Sequence, residues 1–260
     1  MSYEKILPTR QDGVVRLTLN RPTVLNALDG QLVDEIHDAL KPLENDAGAR
    51  VLLITGAGRG FSSGADLTAG DPTPGGDAGR FLETHFNPVL ELLWALPIPV
   101  IAAVNGPAAG AGCSLALAAD ITIAAHSAYF LQAFINIGLV PDTGSTWLMP
   151  RQIGRARATA MMLLGERVSA EMAMQWGMIW KAVPDALLME EAERIAQTFA
   201  NGPTRAYAMT RRAIHHALEN QLAESLREER INQEVAGRTA DFAEGVAAFT
   251  QKRRANFLGR

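Results

Sequence analysis

The sequence predicts an α/β fold on three observations. Short β-branched runs recur through the first two thirds of the chain, helical patterns lie between them, and strands disappear after about Leu187. Taken in order, Val14–Leu19 (VVRLTL) reads as a buried strand, because β-branched side chains suit a pleated, half-buried surface. Residues 28–43 place Leu28, Leu32, Ile36, Leu40 and Leu43 on one helical stripe. Residues 51–55 form an apolar run of strand length, and the Pro- and Gly-rich stretch from Leu67 to Arg80, LTAGDPTPGGDAGR, predicts a mobile loop. A second helical stripe covers 86–96, and Val100–Val104 and 121–124 are further buried strands. Beyond Leu187, helical patterns over 187–200, 204–219 and 222–235 precede a fourth around 242–253. This shift divides the chain into a core, 1–190, and a helical C-terminal region, 191–260. The apolar stripes of that region exceed what a small appendage can bury on itself, so it is expected to pack against other subunits.

A chain of 260 residues with 48% hydrophobic content can bury a full core, which favours one large domain with an appendage. Cys113, the single cysteine, sits among small apolar residues, as a packed thiol in a reducing compartment would. A net charge of −4 argues against a nucleic-acid surface. The start, MSYEKILPTRQDGVV, lacks the regions of a signal peptide, and the apolar stretch IPVIAAVNGPAAGAGCSLALAA is interrupted by Asn105-Gly106-Pro107. The expectation is a cytoplasmic protein with neither membrane nor nucleic acid as partner. Its five histidines are scattered, and the adjacent His215 and His216 point to different helix faces, so no metal site is expected.

Several motifs touch chemistry. Thr55-Gly56-Ala57-Gly58-Arg59-Gly60 has G-x-G-x-G spacing, not the G-x-G-x-x-G of a dinucleotide loop. Gly60-Phe61-Ser62-Ser63-Gly64 is formally G-x-S-x-G, yet the preceding strand ends near Thr55, too early for a nucleophile elbow. In Asn105-Gly106-Pro107-Ala108-Ala109-Gly110-Ala111-Gly112, small residues precede a helical run from Ser114. Such a helix start can stabilise an oxyanion, although close helix packing explains the segment equally well. Asp142 ends an apolar run in IGLVPDTGSTWLMPR, where it suits either a turn or cap, or an acid-base group.

Arg21-Pro22-Thr23-Val24-Leu25-Asn26-Ala27-Leu28, Phe61-Ser62-Ser63-Gly64-Ala65-Asp66-Leu67 and the 105–112 segment together resemble the crotonase (enoyl-CoA hydratase/isomerase) superfamily in order and spacing. The resemblance implies a ClpP-like spiral of ββα units with a C-terminal helical trimerisation region. It further implies a homotrimer or dimer of trimers, and an acyl-CoA substrate whose coenzyme A is the only cofactor-like group. Carried over, the oxyanion-hole N–H groups belong to Ala65 and Ala111, the second standing where glycine is usual. Val24, Ala27, Ser63, Asp66 and Leu67 become the coenzyme A wall, with Phe134 beside the acyl group. A C-terminal tail implies weaker contacts from Lys252 and Phe257.

Hydratases of the superfamily carry two glutamates at positions matching Ser114 and Phe134, neither of which is acidic here. Water addition needs groups that activate water and return a proton, and these two are poor substitutes. Between Leu92 and Gly165 the carboxylates are Asp120, which suits a turn or cap, and Asp142. Asp142 stands where isomerases of the superfamily place a catalytic aspartate, and apolar neighbours such as Phe134 and Trp147 would raise its pKa. The 137–151 segment, Trp176-Gly177-Met178-Ile179-Trp180 and the ending from Gly237 are similar to the branch that isomerises 2-(1,2-epoxy-1,2-dihydrophenyl)acetyl-CoA to oxepin-CoA and shifts double bonds in enoyl-CoA esters. The alternatives are an enoyl-CoA hydratase, a halobenzoyl-CoA dehalogenase-like hydrolase with Asp142 as nucleophile, and a non-catalytic binder of CoA esters.

Overall fold

A hairpin opens the chain: β1 (Ile6–Gln11) pairs antiparallel with β2 (Val14–Leu19) across Asp12 and Gly13, whose φ values of 49° and 80° suit a type I′ turn. The computed structural model describes residues 3–68 and 77–260, so most of the loop expected over 67–80 lies outside the described residues. Helix α1 (Gly30–Leu40) is capped by Asp29, whose carboxylate accepts the Leu32 N–H at 2.9 Å, and it buries Leu32, Val33, Ile36 and Leu40. Next come β3 (Val51–Gly56), the short α2 (Ala78–Phe81) and α3 (Asn87–Ala95), then β4 (Val100–Val104), β5 (Ala108–Ala109) and α4 (Ala111–Leu117). They lead to β6 (Ile121–Ala125), β7 (Tyr129–Leu131), α5 (Ser145–Leu164), β8 (Val168–Ser169), α6 (Ala170–Gln175) and β9 (Lys181–Val183). The chain ends in α7 (Leu188–Ala200), α8 (Thr204–Ala217), α9 (Leu222–Ala236) and α10 (Ala240–Thr250).

The main sheet has the order β1-β2-β3-β4-β6-β9, parallel from β2 onward, and β5-β7-β8 form a second, small sheet. Strands β3 and β4 are buried at every position, as parallel strands covered on both faces must be. Helix α7 sends Leu188, Ala192, Ile195 and Ala196 into the same core, so the boundary expected at 190/191 falls inside a helix that belongs to the sheet layers. Helix α9, by contrast, buries no residue, and Leu222 and Phe249 are 74% and 87% exposed. Arg211 of α8 ties this region down. Its guanidinium donates to the carbonyls of Leu93, Trp94 and Leu96 at the end of α3 and to the Asp120 carboxylate at 2.7 Å. Asp120 also accepts the Val100 N–H, which is a structural role. Among the described residues, no helix is long and apolar enough to cross a membrane.

Candidate active site

Two backbone turns meet beyond the ends of β3 and β4. Asn26, wholly buried, holds the first: its amide donates to the carbonyls of Ala57 and Gly60, and its own carbonyl accepts the Ser62 hydroxyl. Ser62 therefore serves the backbone, and no nucleophile elbow exists here. Isolated bridges pair Leu28 with Ala65 and Ser62 with Ala108. In the first bridge, Leu28 N–H donates to Gly64 and Asp66 N–H donates to Leu28. The Ala65 N–H consequently faces away from Leu28 and has no acceptor among the described residues.

Ala111 opens α4 directly after Gly110 (φ 50°), and its N–H, in the unsatisfied first turn, likewise has no acceptor among the described residues. The turns touch at Gly64, where φ is +94° and a Cβ would lie 2.8 Å from the Ala109 carbonyl oxygen and 3.6 Å from the Ala111 nitrogen. Two unpaired N–H groups on neighbouring turns, one at a positive helix end, can stabilise negative charge on a carbonyl oxygen.

Phe134 borders this region, and Asp142 lies further along the same loop. The Phe134 ring lies 3.6 Å from where a Gly110 Cβ would sit, and the Leu139 N–H returns to the Phe134 carbonyl before the chain turns through Asp142 into α5. The carboxylate is half-buried and accepts the Thr143 hydroxyl at 2.7 Å. Burial pushes its pKa above the ordinary aspartate range, against the smaller opposing effect of that hydrogen bond. It caps nothing: Gly144 holds the N-cap position of α5, without a side-chain cap bond. Beside the second turn, in α4, Ser114 is buried with its hydroxyl 3.4 Å from the Gly110 carbonyl oxygen, and Cys113 is a buried thiol pushed up to about 12 by desolvation.

The other expected residues divide. Val24 and Leu67 are exposed, as is Ser63, whose hydroxyl donates to the Val24 carbonyl. Ala27 and Asp66 are less accessible. Ala27 is buried with its carbonyl bound by Arg21, and the Asp66 carboxylate is engaged by Arg21 at 2.9 Å and by Thr68. The Thr68 hydroxyl and then Arg21 hold Asp66 below the usual carboxylate range, so Asp66 locks the turn beneath Ala65. Arg21 and Asn26, the actual braces of this turn, escaped the sequence reading because their partners lie far along the chain. Trp147, expected beside Asp142, has its ring edge-on to Trp94 at 5.1 Å and under the Arg151 guanidinium. Phe257 lies against Gly245 of α10, and Lys252 follows the end of that helix, so neither is brought to the two turns by its own chain's fold.

Comparison with known proteins agrees with this architecture. Residues 9–260 match the family described as Enoyl-CoA hydratase/isomerase. The chain is 48% identical over 260 residues to the 1,2-epoxyphenylacetyl-CoA isomerase of Escherichia coli (strain K12), covering 99% of each chain. It is 45% identical to a probable enoyl-CoA hydratase of Rhodobacter capsulatus, over the whole of both. Among solved structures, an enoyl-CoA hydratase from Bacillus anthracis superposes with a TM-score of 0.94 at 33% identity, over 99% of this chain and 100% of that one.

Proposed function

This chain belongs to the enoyl-CoA hydratase/isomerase (crotonase) family, and we propose that within it the protein is an isomerase of CoA thioesters with one aspartate as acid and base. The favoured substrate is 2-(1,2-epoxy-1,2-dihydrophenyl)acetyl-CoA, converted to oxepin-CoA, with a 3-enoyl-CoA to 2-enoyl-CoA shift as companion activity. The observation that carries this reading is Asp142: a half-buried carboxylate with raised pKa, no cap to make, and a neutral serine and phenylalanine where a hydratase would need glutamates. The name of the 48% identical relative supports the same substrate.

The thioester oxygen accepts the Ala65 and Ala111 N–H groups, which stabilise the enolate formed when Asp142 removes the proton next to the carbonyl. Protonated Asp142 then returns that proton at the γ carbon, and the carbonyl re-forms. With the epoxide, the carbon–carbon bond shared by the two rings breaks as its electron pair joins the ring π system, giving the seven-membered oxepin that undergoes the same α-to-γ proton transfer. Atoms balance without water, and coenzyme A enters only as part of the substrate. The helical C-terminal region would build a homotrimer or dimer of trimers, which is how Lys252 and Phe257 could reach a neighbouring subunit's coenzyme A.

Incubation with the epoxide and with 3-hexenoyl-CoA tests the reading. Isomerisation gives products of unchanged mass with new ultraviolet absorbance; a product heavier by one water would instead make the protein a hydratase. Oxygen-18 from labelled water appearing in the Asp142 carboxylate during turnover would make it a nucleophile and overturn the proposal.

A further inference from the structure

Asp142, Thr143, Gly144 and Ser145 form a tight turn in which the Ser145 N–H donates to the Asp142 carbonyl at 3.0 Å, with Thr143 at φ 50° and Gly144 at φ 73°. Glycine is at home in that region, but a β-branched residue there is an outlier whose strain must be over-determined by its surroundings. Thr143 is only 3% exposed, so solvent does not select its hydroxyl. That hydroxyl bonds the Asp142 carboxylate oxygen Oδ1 at 2.7 Å, and Asp142 is its sole side-chain partner among the described residues. A turn that needed nothing beyond its backbone would be served better by glycine at both central positions.

We propose that Thr143 is the positioning residue of the acid-base aspartate: its hydroxyl holds Oδ1 in place and leaves Oδ2 to carry the proton. The proposal rests on the reading of Asp142 as the base. No ion pair among the described residues competes for that carboxylate. The turn Phe134–Ile137, α4 and β7 contribute no Asp, Glu, Lys, Arg or His side chain; their titratable groups are the Cys113 thiol, which burial keeps protonated, and the Tyr129 phenol, which lies under the Arg167 guanidinium. Helix α5 carries Arg151, Arg155 and Arg157; Arg151 lies over Trp147, Arg157 lies over Trp176 and donates to the Trp176 carbonyl, and Arg155 is exposed. Among the described residues Thr143 is thus the one hydrogen-bonding side chain that can set the aim of Asp142, and it opposes the effect of burial on its proton affinity.

The test measures the pH dependence of 3-hexenoyl-CoA isomerisation in Thr143→Val, Thr143→Ser and Thr143→Gly, beside Asp142→Asn. Loss of the hydroxyl in Thr143→Val should move the acid limb of kcat/KM to higher pH by about one unit, the order expected for a hydrogen bond to a carboxylate. It should also lower the plateau kcat roughly tenfold with KM nearly unchanged, as a misaimed base does. Thr143→Ser should restore both. Thr143→Gly relaxes the backbone, so a purely structural threonine predicts full activity with equal or greater thermal stability, whereas a positioning hydroxyl predicts the Thr143→Val profile in a well-folded protein. A wild-type limb and plateau in folded Thr143→Val or Thr143→Gly, with Asp142→Asn inactive, overturns the role of Thr143 alone. Full activity in Asp142→Asn overturns the acid-base reading beneath it.

Discussion

Substituting Gly64 by alanine is expected to damage turnover far more than folding. The φ of +94° already penalises an L-residue, and the added Cβ would lie 2.8 Å from the Ala109 carbonyl oxygen, a backbone atom that no side-chain rotation can move aside. Left-handed strain contributes on the order of 1–2 kcal/mol, which for a chain of this size lowers Tm by roughly 5 °C. Relief requires the Gly64 turn to back away from Ala109, and with it the neighbouring Ala65 N–H from that of Ala111. A lost oxyanion donor typically removes about 3 kcal/mol of transition-state stabilisation, a fall in kcat on the order of 10²-fold. Steady-state isomerisation of 3-hexenoyl-CoA, read beside a thermal melt, separates the two effects. A folded Gly64→Ala protein with undiminished kcat would refute the argument that these touching turns hold the thioester oxygen.

Further outcomes follow from the same structure. Ala65→Pro, which deletes the N–H, should abolish turnover in a protein with native circular dichroism, whereas Ala65→Gly should retain most activity. Arg211→Met should lower stability by about 3 kcal/mol in denaturant titration, because it strands the Asp120 carboxylate and the carbonyls closing α3, and an unchanged midpoint would contradict this. Burial, with smaller repulsion from Arg211 and His216, lowers the pKa of His215 to about 4 from an ordinary 6.5. The unfolded chain therefore binds this proton first, so stability is full above pH 6.5, falls as pH drops from 6.5 to 4, and levels off below; His215→Phe should flatten that slope in melts across the window. Sedimentation at micromolar concentration should show trimers or hexamers of the 28.0 kDa chain, given the bare apolar side chains of α9 and α10, and a stable monomer would contradict it.

Elements with strong periodicity were legible in the sequence. The stripe Leu28, Leu32, Ile36, Leu40 and Leu43 is buried throughout, although the α-helix itself stops at Leu40 and tightens into a 3-10 turn over Lys41–Glu44, which contains Pro42. Strand β1 is hard to read because Leu7-Pro8-Thr9-Arg10 lacks a clear apolar run; Asp12-Gly13 directly before the strand Val14–Leu19 is the hairpin signal that points back to it. Helix α5 hid behind Pro150 and Gly154, and the chain does break its helical path at Gly154 (φ 77°, ψ 159°). Within the site, spacing could point to glycine-bearing turns and a lone aspartate, but it could not reveal the Arg21–Asp66 pair across 45 positions or the Trp147–Trp94 contact. Both depend on tertiary approach. The strained φ of Thr143 is likewise a property of the folded turn and invisible in residue order.

The central claim, that Asp142 moves the proton, meets its most direct test in Asp142→Asn. Asparagine keeps the shape of the side chain and can still accept the Thr143 hydroxyl through its amide oxygen, so CoA-ester affinity by calorimetry and the melting temperature should stay close to wild type. Lacking a basic carboxylate, the variant should isomerise 3-hexenoyl-CoA and the epoxide on the order of 10²-fold or more slowly, with Ser114 and Phe134 unable to take over. Turnover near the wild-type rate in the purified variant would contradict the account and leave Asp142 a turn residue.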